Sequence, residues 1–228
     1  MLDSLFSNFD GFFLSLLKGA VVTLELSLLS LGIGLVIAIV FALLELSRWK
    51  IIRYPVALIV NVIRALPELL VIVFMAFGVP YALIIYMDDA PDISTFSLGV
   101  AALSLIFASY ASQTLRGALQ AVPQSQWESC EVLGISKTKA FISIIMPQMW
   151  RHALPGLGNQ WLVLLKDTAL ISWVGVTDLM KAGQEAATAT NEFFSWLLVA
   201  AFIYLGISLV SQQIQKGFQL FLTRHERA

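Results

Sequence analysis

Charged residues and cysteine are scarce in this sequence, and each shortage excludes a class of protein. Asp, Glu, Lys and Arg make up 13% of the 228 residues, about half the share found in an ordinary soluble domain. The net charge of −1 provides no basic field to attract nucleic acid. The single cysteine, Cys130, excludes an internal disulfide. His152 and His225 lack the spacing of metal ligands, so we expect neither a metal nor a cofactor.

Motifs for binding ATP or for secretion are also missing. Gly134-Ile-Ser-Lys-Thr has a Lys-Thr pair, but a phosphate-binding loop needs its lysine directly after the second glycine. The first 17 residues carry Asp3 and Asp10 and no basic segment, so they do not predict a cleaved signal peptide. Their phenylalanines recur near helical spacing, which favours a short amphipathic helix lying in a membrane interface. They are Phe6, Phe9, Phe12 and Phe13.

Hydrophobic residues make up 58% of the chain, and five apolar stretches are long enough to cross a bilayer core, which takes roughly 20 helical residues. They cover about 19–45, 54–86, 98–121, 156–176 and 195–222. The sequence therefore predicts an all-α polytopic membrane protein with five transmembrane helices and a single domain over 1–228. The second stretch is too long for a straight span, so it must tilt, extend into the cytosol or break near Pro67.

The charges of the loops predict the orientation. The loops at 46–53 and 122–155 and the C-terminal tail carry the bases Arg48, Lys50, Arg53, Lys137, Lys139, Arg151, Arg224 and Arg227. The loop at 87–97 carries Asp88, Asp89 and Asp92 and no base, and the loop at 177–194 has one base, Lys181. Because loops rich in Lys and Arg stay in the cytoplasm, we expect the N-terminus outside and the C-terminus inside.

The long third loop is too polar to cross a membrane and too patterned to be a flexible linker. Ser125 with Glu128 fits a capping box, and Gly134 can adopt the left-handed conformation that ends a helix. Ser136 could cap a second helix that ends at Pro147. The sequence predicts two short helices joined by a glycine at the membrane surface. Spacing alone leaves open an ordinary cytosolic helical hairpin.

This loop closely resembles the coupling loop of ABC importer permeases. Their pattern is E-A-A-x-x-x-G, then about nine residues, then an apolar residue, any residue, an apolar residue and P. Glu128-Ser129-Cys130, Gly134 and Ile144-Ile145-Met146-Pro147 stand at that spacing. Ser129 and Cys130 replace the two alanines, and both are small.

The resemblance covers roughly residues 15–225. It includes Gly19-Ala20-Val21-Val22-Thr23-Leu24-Glu25, Arg64-Ala65-Leu66-Pro67, Tyr110-Ala111-Ser112-Gln113-Thr114-Leu115-Arg116-Gly117 and Leu164-Leu165-Lys166-Asp167-Thr168-Ala169-Leu170. Within the family the chain is most similar to permeases for arginine, lysine, ornithine and histidine, especially the arginine type. Those permeases usually carry Glu where this chain has Gln113 and Gly where it has Ala65.

The resemblance implies the ABC type I importer permease fold, in a bacterial inner membrane. The chain would be a transport subunit and not an enzyme, because a partner ATPase homodimer would hydrolyse the ATP. Five loop residues would contact that ATPase: Glu128, Ser129, Cys130, Gly134 and Pro147. A second permease subunit, identical or related, would complete the pathway, and a periplasmic or lipid-anchored binding protein would deliver the amino acid. A channel, an exporter half and an importer half for another polar amino acid are the alternatives.

Four charged residues lie well inside the apolar stretches, where facing lipid would cost several kcal/mol, and Glu25 lies nearer the outer edge; the four are Arg64, Glu68, Lys166 and Asp167. Structural ion pairs could explain them, and Arg64 and Glu68 would share one face of an unbroken helix. A polar pocket for an amino acid is the other interpretation. Arg64 would bind the carboxylate bidentately, and Glu68 or Asp167 would bind the cationic groups. Tyr110 and Gln113 would add hydrogen bonds.

Overall fold

The computed structural model describes residues 2–87 and 91–223, with side chains for 11–87 and 91–220. The regular elements of this part are all helical: α1 (Leu2–Glu45), α2 (Lys50–Ala65), α3 (Glu68–Val73), α4 (Val79–Tyr86), α5 (Thr95–Ala121), α6 (Gln124–Val132), α7 (Lys137–Ala140), α8 (Met146–Ile171), α9 (Leu179–Thr190) and α10 (Phe193–Thr223). The all-α prediction is confirmed. The loop and tail residues Asp88, Asp89, Arg224, His225 and Arg227 lie outside the described residues.

Four helical segments of the described chain are long and apolar enough to cross a membrane. They are Gly11–Glu45, Glu68–Tyr86, Thr95–Ala121 and Phe193–Leu220. The fourth predicted stretch lies mostly in α8, which has 26 residues and is roughly 39 Å long. It is more polar than the other four, because it carries amides and charged side chains among its apolar ones. All five predicted stretches are therefore mostly helical, and α8 is the polar member.

The second predicted stretch breaks at a proline. Leu66 has extended backbone angles and ends α2, and Pro67 directly precedes α3. A proline lacks the N–H of a helical bond and pushes the preceding residue out of the helical region. A π-helical turn at Phe74–Gly78 then joins α3 to α4. Of the three arrangements that the length of this stretch allowed, the break near Pro67 is the observed one.

Two predictions about the ends of helices are wrong. The N-terminal residues do not form a separate interfacial helix, because α1 runs without interruption from Leu2 to Glu45; the side chains of Phe6 and Phe9 lie outside the described part. Pro147 does not end a helix either. It lies in the first turn of α8, where a missing N–H is tolerated. A π-helical turn at Phe141–Ile145 joins α7 to α8 ahead of it.

The capping box predicted at the start of the long loop is also absent. Helix α6 begins at Gln124, directly after Pro123, and shows no side-chain cap. Ser125 therefore lies inside the helix instead of at its N-cap. Pro123 lies between α5 and α6. Only two residues separate the last residue of α5 from the first residue of α6. We call this end of the bundle, where α6 and α7 lie, the loop end.

The bundle is built on the contact between α1 and α5, and a glycine sets its distance. A Cβ atom added to Gly34 would lie 2.9 Å from the backbone oxygen of Ser104, so the two backbones nearly touch. Ala108 and Ala111, further along α5, are fully buried. Small residues let helices approach closely in membranes. Gly32 lies two residues before Gly34. A Cβ atom added to Gly32 would meet nothing within 4 Å, so this glycine plays no part in the contact.

We expect Gly34→Ala to destabilise the protein by about 1–3 kcal/mol, because the added methyl group must push α1 away from the backbone of α5. Gly32→Ala is the matched control and should be close to neutral, since its methyl group enters open space. The measurement is the midpoint of thermal unfolding of each purified variant in detergent. Equal midpoints for the two variants would contradict this account of the contact.

Candidate functional site

A polar cavity of about 260 Å³ lies between α3, α5 and α8. Its polar wall residues are Glu68 from α3, Tyr110 from α5, and Gln160 and Asp167 from α8; its apolar wall residues are Ile106, Phe107, Val163 and Leu164. Gln160 and Asp167 are two helical turns apart, so they share one face of α8. The structure thus brings together three of the six residues that the sequence predicts for a pocket: Glu68, Tyr110 and Asp167.

The break at Pro67 determines how Glu68 enters this cavity. Glu68 is the first residue of α3, and a carboxylate is favoured in the first turn because the helix dipole is positive there. The break also separates Glu68 from Arg64, which belongs to α2. The two residues therefore do not share one helix face, and the described residues show no ion pair between them.

Arg64 lies beside the cavity, on the ring of Tyr110. The guanidinium carbon is 5.4 Å from the ring centroid, a distance typical of a cation–π contact. The Tyr110 hydroxyl donates a hydrogen bond to the backbone oxygen of Arg64 at 3.4 Å. Tyr110 therefore connects the end of α2 with the wall of the cavity. The Arg64 guanidinium contacts the ring of Tyr110, and Tyr110 itself lines the cavity.

Lys166 faces away from this cavity. Adjacent helical residues diverge by about 100°, and Lys166 instead lines a second groove between α8, α9 and α10, together with Tyr204, Ser208 and Gln212. Its side chain is exposed on the surface of the isolated chain. Lys166 and Asp167 therefore serve two different surfaces of α8.

Gln113 does not line the polar cavity either. Its Nε2 donates to Glu45 Oε2 at 2.8 Å, and its Oε1 accepts from Arg116 Nη1 at 3.2 Å. The same Arg116 nitrogen is 3.2 Å from Glu45 Oε1. The side chain of Gln113 therefore belongs to a network that joins α1 to α5 at the loop end.

Gln160 is the cavity residue that sequence reasoning did not single out. Its Nε2 donates to Thr114 Oγ1 at 2.7 Å, while its Oε1 is buried without a hydrogen-bond partner among the described residues. A buried acceptor in that state is costly and is available to a donor that enters the cavity. The signal in the sequence was an amide two turns before Asp167 on an otherwise mostly apolar face.

The loop residues meet at a tight turn around Gly134, as the sequence predicts. Gly134 has φ +68, its N–H bonds the oxygen of Glu131 at 3.0 Å, and the N–H of Ile135 bonds the oxygen of Cys130 at 2.9 Å. This pair of bonds is a Schellman motif, in which a left-handed residue closes the end of a helix. Cys130 is buried, whereas Glu128 and Ser129 are exposed on α6. Pro147 lies apart from the turn, at the start of α8.

Two large apolar side chains stand in the open beside this turn. Val132 is 86% exposed and Leu133 is 74% exposed, although the loop around them is polar. Exposed apolar side chains that lie together mark interaction surfaces. The ring of Trp127 stacks on Phe141 with a centroid distance of 6.3 Å, which ties α6 to the turn before α8. The sequence reasoning missed Val132 and Leu133, because a two-residue apolar run carries no signal of its own.

Comparison with known proteins gives a family and a group of relatives. The family described as binding-protein-dependent transport system inner membrane component matches residues 33–222. The arginine ABC transporter permease protein ArtQ of Escherichia coli (strain K12) is 47% identical, with 94% of this chain and 98% of that protein covered. The histidine/lysine/arginine/ornithine transport system permease protein HisQ of Salmonella typhimurium is 36% identical, with 90% and 91% covered.

Solved structures agree on the fold. The crystal structure of an amino acid ABC transporter with histidines contains a chain that superposes with a TM-score of 0.82 at 27% identity, over 92% of this chain and 95% of that one. An inward-facing structure of the MetNI methionine ABC transporter superposes with a TM-score of 0.68 at 16% identity, over 90% and 96%. The type I importer permease fold predicted from the sequence is confirmed.

We expect Thr114→Val to lower the free energy of unfolding by about 1–3 kcal/mol. Valine keeps the methyl group that packs near Gly156 but removes the acceptor of the Gln160 Nε2 amide, which would lose its partner at a half-buried position. Thr114→Ser retains the hydroxyl and should remain close to the parent protein. Thermal unfolding of the purified variants measures the difference, and a Val variant as stable as the Ser variant would show that this hydrogen bond contributes nothing.

Proposed function

Because the chain belongs to the family of binding-protein-dependent transport system inner membrane components, we propose that it is the permease of an ABC importer for basic amino acids, arginine above all. The observation that carries the substrate class is the polar cavity with its two carboxylates, Glu68 and Asp167. The names of the relatives, which are permeases for arginine or for histidine, lysine, arginine and ornithine, support the same substrates.

The charges around the cavity complement those of a basic amino acid. Such a substrate has two cationic groups and one carboxylate. Glu68 and Asp167 can each bind one cation, and the unpartnered Gln160 oxygen can accept a further N–H bond. Arg64, which now lies on the Tyr110 ring, can turn from that ring to bind the carboxylate. A neutral amino acid would leave one acidic side chain without a counter-charge, and an unpaired buried charge is strongly unfavourable.

The alternative, in which these charges form structural ion pairs, has less support. The described residues show no ion pair among Arg64, Glu68, Lys166 and Asp167, although all four lie on helices of the bundle. Charges placed next to each other but left unpaired are what a site needs when its ligand supplies the counter-charges. Lys166 does not take part in the cavity, and we assign it no role in holding the substrate.

We propose that the loop end lies in the cytoplasm and docks on an ATPase homodimer. The exposed Val132 and Leu133 beside Gly134 would form the apolar centre of that contact, and Glu128 and Ser129 its polar edge. Lys137 and Lys139 at the same end favour the cytoplasmic side, and the N-terminus would then lie outside and the C-terminus inside. A second permease subunit would close the pathway, and a periplasmic or lipid-anchored binding protein would deliver the amino acid from outside.

Transport would then follow from movement at the loop end. ATP would close the ATPase dimer, and the docked α6 would move with it. Helix α5, which ends two residues before α6 begins, would carry that movement to Tyr110 in the cavity wall. The cavity would open to one side of the membrane and then to the other by rigid-body rocking of the two permease subunits.

We expect Asp167→Asn to reduce ATP-driven uptake of labelled arginine at least tenfold. A hydrogen bond to a charged group contributes about 1.5–3 kcal/mol, and about 1.4 kcal/mol corresponds to a factor of ten in affinity. The assay is uptake by proteoliposomes that hold the full complex, with and without ATP. Asp92→Asn is the matched control, because Asp92 is exposed and lies in the loop before α5, outside the cavity wall. Arginine uptake at the parent rate and affinity by the Asp167 variant would refute the assignment of the pocket.

We expect Gly134→Val to leave the chain in the membrane but to abolish co-purification of the ATPase and ATP-driven uptake. A Cβ at this position meets nothing within 4 Å, so the penalty comes from the left-handed backbone, which costs a residue with a Cβ roughly 1–2 kcal/mol. Gly134→Asn should retain most of both activities, since Asn191 of this chain already adopts φ 59. A Val variant that co-purifies and transports as well as the Asn variant would contradict the role of this turn.

A further inference from the structure

The network of Glu45, Gln113 and Arg116 lies where the long first helix ends. Glu45 is the last residue of α1 and is only 3% exposed. A carboxylate at the C-terminal end of a helix is disfavoured by the helix dipole, and a buried one needs partners. Arg116 and Gln113 supply them, one to each carboxylate oxygen. The end of α1 is thereby fixed to α5 by polar bonds, beyond the apolar packing of the two helices.

The chemistry of the three side chains is matched. One carboxylate and one guanidinium cancel in charge, and the amide of Gln113 donates to the first and accepts from the second. A glutamate at position 113 would place two carboxylates in contact beside a single arginine. The acid on α1 and the amide on α5 therefore depend on each other, and exchanging the two groups keeps the same set of charges.

The position of this network in the chain gives it a mechanical consequence. Arg116 lies little more than one helical turn before the end of α5 at Ala121, and α6 begins at Gln124. Among the polar contacts between α5 and α1 in the described residues, this network lies nearest to α6 in the chain. With the network intact, the end of α1 must move with α5; without it, α5 can move without carrying the end of α1 along.

We propose, building on the transport function above, that Glu45, Gln113 and Arg116 are positioning residues that transmit the movement of α6 to α1. They do not touch the substrate, because both polar groups of the Gln113 side chain are occupied and the network lies outside the polar cavity. Their loss uncouples ATP hydrolysis from transport while the cavity itself stays unchanged.

The test uses the full complex in proteoliposomes and compares four variants: Gln113→Glu, Glu45→Gln, the exchanged double variant Glu45→Gln/Gln113→Glu, and the control Gln120→Glu. Gln120 lies on the same helix, is exposed and undergoes the same chemical change. The readouts are the yield of assembled complex, ATP hydrolysis, and amino acid transported per ATP hydrolysed, for a panel of labelled amino acids that includes arginine.

We expect Gln113→Glu and Glu45→Gln to lower the amount transported per ATP at least fivefold while ATP hydrolysis continues. The exchanged variant should recover most of the loss, and Gln120→Glu should match the parent. If Gln113→Glu does not assemble, Glu45→Gln, which adds no charge, still decides the question.

Two results would overturn the positioning role. One is a lower yield of complex combined with an unchanged ratio of transport to hydrolysis, which would make the network a structural anchor only. The other is an exchanged variant that assembles but stays uncoupled. A parent complex that transports another amino acid but not arginine would refute the proposed substrate and leave this test intact, whereas a parent complex without any ATP-driven uptake would overturn both proposals.

Discussion

A charged side chain that faces lipid costs several kcal/mol, and this constraint determines where the polar residues of the bundle lie. Glu68 and Asp167 line a cavity between helices. Arg64 lies on an aromatic ring. Glu45 is buried in an ion pair with Arg116. Each charge is removed from lipid in a different way. Glu68 and Asp167 form no ion pair within the described residues, whereas Glu45 does. This difference distinguishes a site for a ligand from a contact with another helix.

The break at Pro67 makes the cavity possible. An unbroken second stretch would put Arg64 and Glu68 on one face and let them neutralise each other. With the break, Glu68 starts a new helix and Arg64 lies in the last turn of the preceding one, so the acid enters the cavity wall and the base remains beside it. The interruption lies next to a polar cavity, because Glu68, the residue that follows it, belongs to the cavity wall, and irregular backbone in a membrane protein is tolerated beside such a cavity.

The sequence revealed those features that depend on neighbouring residues. The apolar stretches, the break near Pro67 and the left-handed Gly134 all follow from local rules, and the structure has them. Gln113 could not be placed in this way, because its partner Glu45 is distant in sequence and comes within reach only once α1 packs on α5. The prediction that Pro147 ends a helix was wrong for a related reason. A π-helical turn precedes this proline, and Pro147 then lies in the first turn of the next helix. The rule that proline ends a helix does not include this arrangement.

Helix α5 unites the two ends of the proposed mechanism. Tyr110 lines the cavity, Thr114 one turn later holds Gln160 of the opposite wall, and Gln113 and Arg116 bind the end of α1. Its apolar residues are largely buried along its whole length, so the helix has little freedom to bend within the bundle. A helix that is packed in this way moves largely as one body. Movement of α6 therefore acts on the cavity wall and on α1 through the same element, and no separate pathway between the loop and the cavity is needed.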